Sequence, residues 1–281
     1  MSAKAGVLRM GRSTSLSLAP IAVGTTFIVL FGPALVALVQ DWATSGEYGH
    51  GFLLVPIAAW LARSHIVEAA PGTKRWGLIA LSVAVGVFLL GTLAGEQFIQ
   101  RLGILGAIAA LTVHYRGTAQ LRAWWLPFAL VASSIPLPDV FLDTITLPLQ
   151  LFASDAAVWL LEARHIPAAQ AGNIIFLPGQ ELFVAAACSG LRSISALFGL
   201  TILIGGTFVR SAGARVLLVA LAVPAAIGAN VLRVFATGFG AYYLGPDVAS
   251  GLTHHAMAAV AFTLPLALVG LAAWALGRLK L

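Results

Sequence analysis

Residues 213–235 read GARVLLVALAVPAAIGANVLRVF, and no charged side chain stands between Arg215 and Arg233. Roughly 20 apolar residues are what an α-helix needs to cross the hydrocarbon of a bilayer. Further apolar stretches lie at about 18–39, 51–62, 76–95, 98–113, 123–137, 188–208 and 254–277. Composition agrees with this reading: 60% of the 281 residues are hydrophobic and 9% are charged, whereas ordinary soluble domains carry about 25% charged residues. Mean hydropathy is +0.97. Too few charges remain to cover a water-soluble surface. The sequence therefore predicts an all-α polytopic membrane protein with about eight transmembrane helices, one domain over residues 1–281 that includes a cytoplasmic tail at 1–17.

Charge sets the expected orientation. Alternating the spans from a cytoplasmic N-terminus puts Lys4, Arg9, Arg12, Arg63, Lys74, Arg75, Arg116, Arg122, Arg210, Arg215, Arg278 and Lys280 on the inner side. These are 12 of the 16 basic residues, whereas Glu68 alone of the ten acidic residues falls there. Basic loops resist translocation, so both termini are expected in the cytoplasm. The run from Leu18 to Val39 follows Lys4, Arg9 and Arg12 but is too long for a signal-peptide core. It ends at Gln40-Asp41 without a small-x-small cleavage site, so a retained first span is expected.

The net charge of +6 does not point to nucleic acid. Its basic residues sit in small groups between apolar stretches, with no basic stripe and interleaved aromatics. Cys188 is the single cysteine, which excludes an intramolecular disulfide and any multi-cysteine metal site.

The stretch 138–187 breaks the alternation, since both its ends must lie outside. Pro136 and Pro138 open it by ending or kinking a helix. Asp139, Asp143, Thr146, Gln150 and Ser154 then recur at helical spacing, while Phe141, Leu142, Leu147 and Leu151 occupy other faces. An amphipathic helix on the outer leaflet fits this pattern. A polar seam inside the bundle fits it as well. Asn173 to Val184 reads as two short extended runs around Pro178-Gly179, a hairpin-like loop.

Three groups of polar residues stand at the outer ends of three consecutive spans, where a charge unpartnered at membrane depth costs several kcal/mol. Cys188 begins a span, where helix amides favour a thiolate, and Arg192 follows one turn later on the same face. As an isolated residue, Cys188 reads equally as a small apolar side chain in a packed helix. Asn230 and Arg233 stand one turn apart, either facing inward or with Arg233 reaching to the surface. His254 and His255 open the last span, and histidine both accepts and donates protons near neutrality. Adjacent histidines point about 100° apart on a helix, and no second ligand pair accompanies them, so no metal or cofactor is expected. A thiol nucleophile, an arginine for an oxyanion and a histidine proton shuttle form a complete set for acyl transfer.

The motifs carry a resemblance. Glu47-Tyr48-Gly49-His50-Gly51-Phe52-Leu53-Leu54-Val55-Pro56 resembles the Y-x-H-G-F-L segment of the exosortase/archaeosortase family of membrane cysteine transpeptidases. Ala187-Cys188-Ser189-Gly190-Leu191-Arg192-Ser193 is similar to its nucleophile motif, and Asn230-Val231-Leu232-Arg233-Val234 to its N-x-x-R motif. His254 and Phe262 match the frame H-x-x-x-G-x-x-x-F, with Ala258 where the family has glycine. The resemblance covers about residues 35–265.

It implies Cys188 as nucleophile, Arg233 as oxyanion-stabilising residue and His254 as acid/base, with His255 as the alternative histidine. Arg192, Asn230, His50 and Tyr48 are the supporting or substrate-binding candidates. Taken alone, Gly49-His50-Gly51 reads as a tight turn into the second span with Tyr48 in the aromatic belt. The implied substrates are secreted proteins with a C-terminal sorting signal, PEP-CTERM-like, processed in the bacterial inner membrane with the active site at its outer face. The implied setting is exopolysaccharide production or surface anchoring. The acyl acceptor is left open. Two readings from other classes compete: a small transporter lined by Arg192, Arg233 and the histidines, and a non-catalytic subunit of a polysaccharide-export system.

Overall fold

The computed structural model describes residues 18–68, 73–184, 191–245 and 251–278. Cys188 lies outside the described residues. The backbones of Arg192, His254 and His255 are described, and their side chains are not.

Nine helices run in chain order among the described residues: α1 (Leu18–Thr44), α2 (Gly51–Ser64), α3 (Lys74–Ala94), α4 (Gln97–Ala123), α5 (Trp125–Ser133), α6 (Asp139–Glu162), α7 (Leu191–Phe208), α8 (Ala212–Leu244) and α9 (Gly251–Arg278). Between α6 and α7 lie β1 (Ala169–Ala171), β2 (Ile174–Leu177) and β3 (Gln180–Phe183). The chain is an all-α polytopic membrane protein, and each expected apolar stretch coincides with a helix.

The number of spans is less uniform than expected. By length and apolar character, α1, α3, α4, α6, α8 and α9 can each cross a membrane, whereas Gly51–Ser64 and Ser193–Phe208 are shorter apolar helices. With nine residues, α5 covers only part of the 123–137 stretch. At about 1.5 Å per residue it rises roughly 14 Å, well short of a bilayer.

Two layers of polar contacts mark the two ends of the bundle. At one end Gln120 donates to the His65 carbonyl at 2.8 Å and accepts from Val67 N–H at 3.0 Å, while Trp124 Nε1 donates to the same His65 carbonyl at 3.0 Å. There too the Arg215 guanidinium lies 4.6 Å over the Trp125 ring. At the other end Trp42 Nε1 donates to the Ser134 carbonyl at 2.8 Å, and Leu137 N–H donates to the Tyr48 hydroxyl at 3.1 Å. This second end carries the α1–α2 loop, the start of α6 and the start of α7. It is called the site end below.

Helices α3 and α4 form a close hairpin, and glycine is what allows the approach. A Cβ on Gly103 would lie 2.7 Å from Phe88 N, one on Gly77 2.5 Å from His114 Cα, and one on Gly91 2.6 Å from Gln100 N. Small residues permit such backbone contact between helices in lipid. Near the site end Arg101, only 4% exposed, is ion-paired with Asp41 of α1, and its Nη2 donates to Gln97 at 2.6 Å.

The region 138–187 is one long helix followed by a small sheet. α6 buries Gln150, Ala153, Ser154, Ala157 and Leu161, and this stripe joins Val231, Val234 and Ala241 of α8 in one core. Gln150 and Ser154 thus form the polar seam, while Asp139 and Asp143 at the start of the helix are exposed. The polar-seam reading holds for the second half of the helix, and α6 as a whole is long and apolar enough to cross a membrane. The hairpin-like loop is β2–β3, turning at Pro178-Gly179 with Gly179 at φ 79°, where glycine removes the steric cost. β1 pairs antiparallel with β2 and completes three strands in the order β1-β2-β3. Ile175 and Leu177 alternate inward onto the α6–α8 core.

Candidate active site

α8 is 33 residues long, about 50 Å at the helical rise. Its buried positions have different partners along its length. Ala214, Leu218, Ala222 and Ala226 pack with Leu197 of α7 and Val269 of α9. Val231, Val234 and Ala241 pack on α6 and the sheet. Asn230, Arg233 and Thr237 continue the Ala222–Ala226 stripe at helical spacing as a polar line, and all three are buried.

Arg233 is 9% exposed and Asn230 is 4% exposed, so neither reaches to the surface. Both are engaged in polar or electrostatic contacts. A guanidinium held in this way keeps a fixed fork of donors for a carbonyl or oxyanion. The Thr237 hydroxyl lies 2.9 Å from the Arg233 carbonyl and 3.6 Å from Met257 Sδ on α9. That contact sets the start of α9 beside the polar line, and His254 stands three residues before Met257 in the same helix.

The α1–α2 loop fastens the start of α7. Ser195 donates to the Glu47 carbonyl at 2.8 Å. His50 has Nδ1 at 3.1 Å from the Glu47 carbonyl and Nε2 at 3.3 Å from the Ser133 carbonyl. Both partners are acceptors, so a neutral ring donates to one of them at a time. Tyr48 is 5% exposed. Its phenol pKa is raised, first by burial and then by the nearby carboxylates of Glu47 and Asp139, against an opposing effect of the Leu137 N–H bond. A Cβ on Gly51 would strike the Trp42 ring at 2.4 Å. Tyr48, His50 and Gly51 therefore pack the loop against α1 and α5.

The structure thus brings Tyr48, His50 and Ser195 to one end of the bundle and buries Asn230 and Arg233 on α8. Sequence reasoning did not find Ser195, Glu47 or Thr237, because their contacts join segments far apart in the chain. The Arg101–Asp41 pair had a readable signal: two opposite charges inside otherwise apolar spans. Among the described residues no three His, Cys, Asp or Glu side chains come together as a metal set. Ser154 is fully buried, and its hydroxyl has no partner among the described residues.

A family model described as transmembrane exosortase matches residues 42–278. No curated protein matches the chain at a significant level, and neither does any solved structure.

Proposed function

The chain belongs to the transmembrane exosortase family, and from that premise we propose that it is a cysteine transpeptidase or protease acting on the C-terminal sorting signals of secreted proteins. In this reading the Cys188 thiolate attacks the scissile carbonyl, and Arg233 meets the negative charge that develops on the carbonyl oxygen. His254 gives a proton to the leaving amine as the carbon–nitrogen bond breaks. The thioester left on Cys188 then passes its acyl group to an amine or to water, with His254 removing the incoming proton. The reading takes the substrates as secreted proteins bearing a PEP-CTERM-like signal, in a bacterial inner membrane with the site at its outer face, linked to exopolysaccharide production or surface anchoring.

The observation that carries this reading is the burial of Arg233 with Asn230 on α8, beside the start of α9. An arginine that served only to anchor the helix would reach out to headgroups. Tyr48 and His50 enter as supporting residues that hold the loop under α7 and line the site for substrate.

The test is a gel-shift assay of a co-expressed secreted protein carrying a PEP-like signal, with wild type, Cys188→Ala, Arg233→Ala and His254→Ala at matched membrane levels. Processing by wild type and by none of the variants is expected. Normal processing by Cys188→Ala would overturn the mechanism and favour a non-catalytic subunit.

A further inference from the structure

The small sheet between α6 and α7 ends four residues before Cys188, and its last link is held by one side chain. β1 and β2 are joined by the two-residue loop Gly172-Asn173, with Gly172 at φ 62°. The loop sets Asn173 opposite Val184, the residue that follows β3. Val184 N–H donates to the Asn173 carbonyl at 2.8 Å, and Asn173 Nδ2 donates to the Val184 carbonyl at 3.2 Å. Both backbone polar groups of Val184 are therefore taken by one residue. The same Nδ2 lies 3.5 Å from Oε1 of the buried Gln150 on α6. An amide nitrogen carries two hydrogens, so Asn173 can serve both oxygens at once.

Val184 is itself buried, in the core that joins Ala153 and Ala157 of α6 with Val231 and Val234 of α8. Val234 is the chain neighbour of Arg233. The clamp thus fixes Val184 against the stretch of α8 that carries the guanidinium. Four residues of chain reach at most about 14 Å, so the place where Val184 is held bounds where the thiol can stand.

We propose that Asn173 is a positioning residue for Cys188, acting through Val184 and braced by Gln150. The proposal rests on the acyl-transfer reading of Cys188. Misplacing a reacting group by about 1 Å can cost about a hundredfold in rate, so a single clamp on the approach to the nucleophile has leverage. The backbone bond from Val184 N–H needs no side chain at Asn173, so the sheet should keep its pairing when the amide is removed.

Cys188 is the single cysteine, so alkylation by iodoacetamide reports that thiol alone. The purified full chain in proteoliposomes is assayed for initial rates on a secreted protein with a PEP-like signal, for alkylation rate against pH, and for melting temperature. Asn173→Ala should lower kcat about tenfold with KM held, and should shift the pH profile of alkylation. Asn173→Asp keeps the shape, but its carboxylate cannot donate, and it should behave in the same way. Gln150→Ala should lower kcat less, and its effect should not add to that of Asn173→Ala. Gln170→Ala is the control for the sheet: that amide donates to the Gly172 carbonyl at 2.7 Å rather than to Val184, and its loss should leave kcat and profile unchanged. Unchanged kcat and alkylation in both Asn173 variants would overturn the proposal, as would an equal fall in Gln170→Ala. Normal processing by Cys188→Ala would instead overturn the acyl-transfer reading, while alkylation would still report whether Asn173 sets the surroundings of the thiol.

Discussion

Ser195 on α7 donates its hydroxyl to the backbone carbonyl of Glu47, 2.8 Å away and 148 residues apart in sequence. The bond holds the α1–α2 loop against the helix that follows the Cys188 segment. One hydrogen bond is worth about 1 kcal/mol net, so Ser195→Ala should slow processing about three- to tenfold at unchanged protein level. Ser195→Thr keeps the hydroxyl and should restore most of the rate. A positioning role predicts that kcat falls while KM holds, which initial rates at several substrate levels will read.

Arg233 offers a sharper test because it is buried and forked. Arg233→Lys keeps the charge but replaces a planar fork by a single ammonium. Loss of an oxyanion donor costs about a hundredfold or more in rate, and processing should fall by that factor with normal membrane insertion. Arg215→Lys, at the opposite end of the bundle against Trp125, should leave the processing rate unchanged.

The two histidines of α9 are adjacent, so their side chains leave the helix about 100° apart. The proposed mechanism uses one of them, His254. His254→Ala should abolish processing, and His255→Ala should leave it largely intact. The reverse outcome would move the acid/base role to His255 and keep the rest of the scheme.

Tyr48 predicts an alkaline limit. Burial and the charges of Glu47 and Asp139 raise its phenol pKa in the fold, while the unfolded chain loses the proton at about pH 10. The stability contributed by the neutral phenol is fully present below about pH 10. It is lost as pH rises through the higher folded value. Thermal unfolding in detergent between pH 8 and 11 should show this decline. Tyr48→Phe should flatten it, while lowering neutral stability because Leu137 N–H loses its acceptor.

The α3–α4 hairpin supplies a packing test with an internal control. Gly103→Ala would press a methyl against the Phe88 backbone at 2.7 Å. Overpacking of this kind costs about 1–3 kcal/mol. Gly86→Ala, on the same hairpin with nothing within 4 Å, should be neutral or slightly stabilising. Similar melting temperatures for the two variants would show that the helices can separate at no cost.

Much of this architecture was legible because hydropathy reports lipid contact directly. Pro178-Gly179 announced its hairpin through backbone chemistry that few other residues allow. β1 stayed hidden because Ala169-Gln170-Ala171 carries no β-branched or aromatic residue, and the strand exists by pairing with β2. The end of α8 was expected near 235 but lies at Leu244, since its last turns are held by α6 and the sheet rather than by lipid. At the candidate site, Asn230 and Arg233 stood out as polar groups at the end of an apolar run. Contacts such as Ser195 with Glu47 left no local trace, because nothing in either segment specifies the other. Cys188 lies outside the described residues, so its place relative to Arg233 rests on the family resemblance.

The length of α8 has a consequence of its own. Arg215 and Arg233 lie about 27 Å apart along the helix axis, close to the thickness of a hydrocarbon core. The remaining turns to Leu244 stand beyond that distance, braced by the sheet. With α8 spanning the membrane as proposed, the helix acts as a ruler that fixes the height of Arg233 above the Arg215 end. In the proposed function, a client tethered by its own apolar helix would be measured against it. Lengthening that tether by a few residues would carry the scissile bond past the guanidinium, whatever the recognition sequence around it.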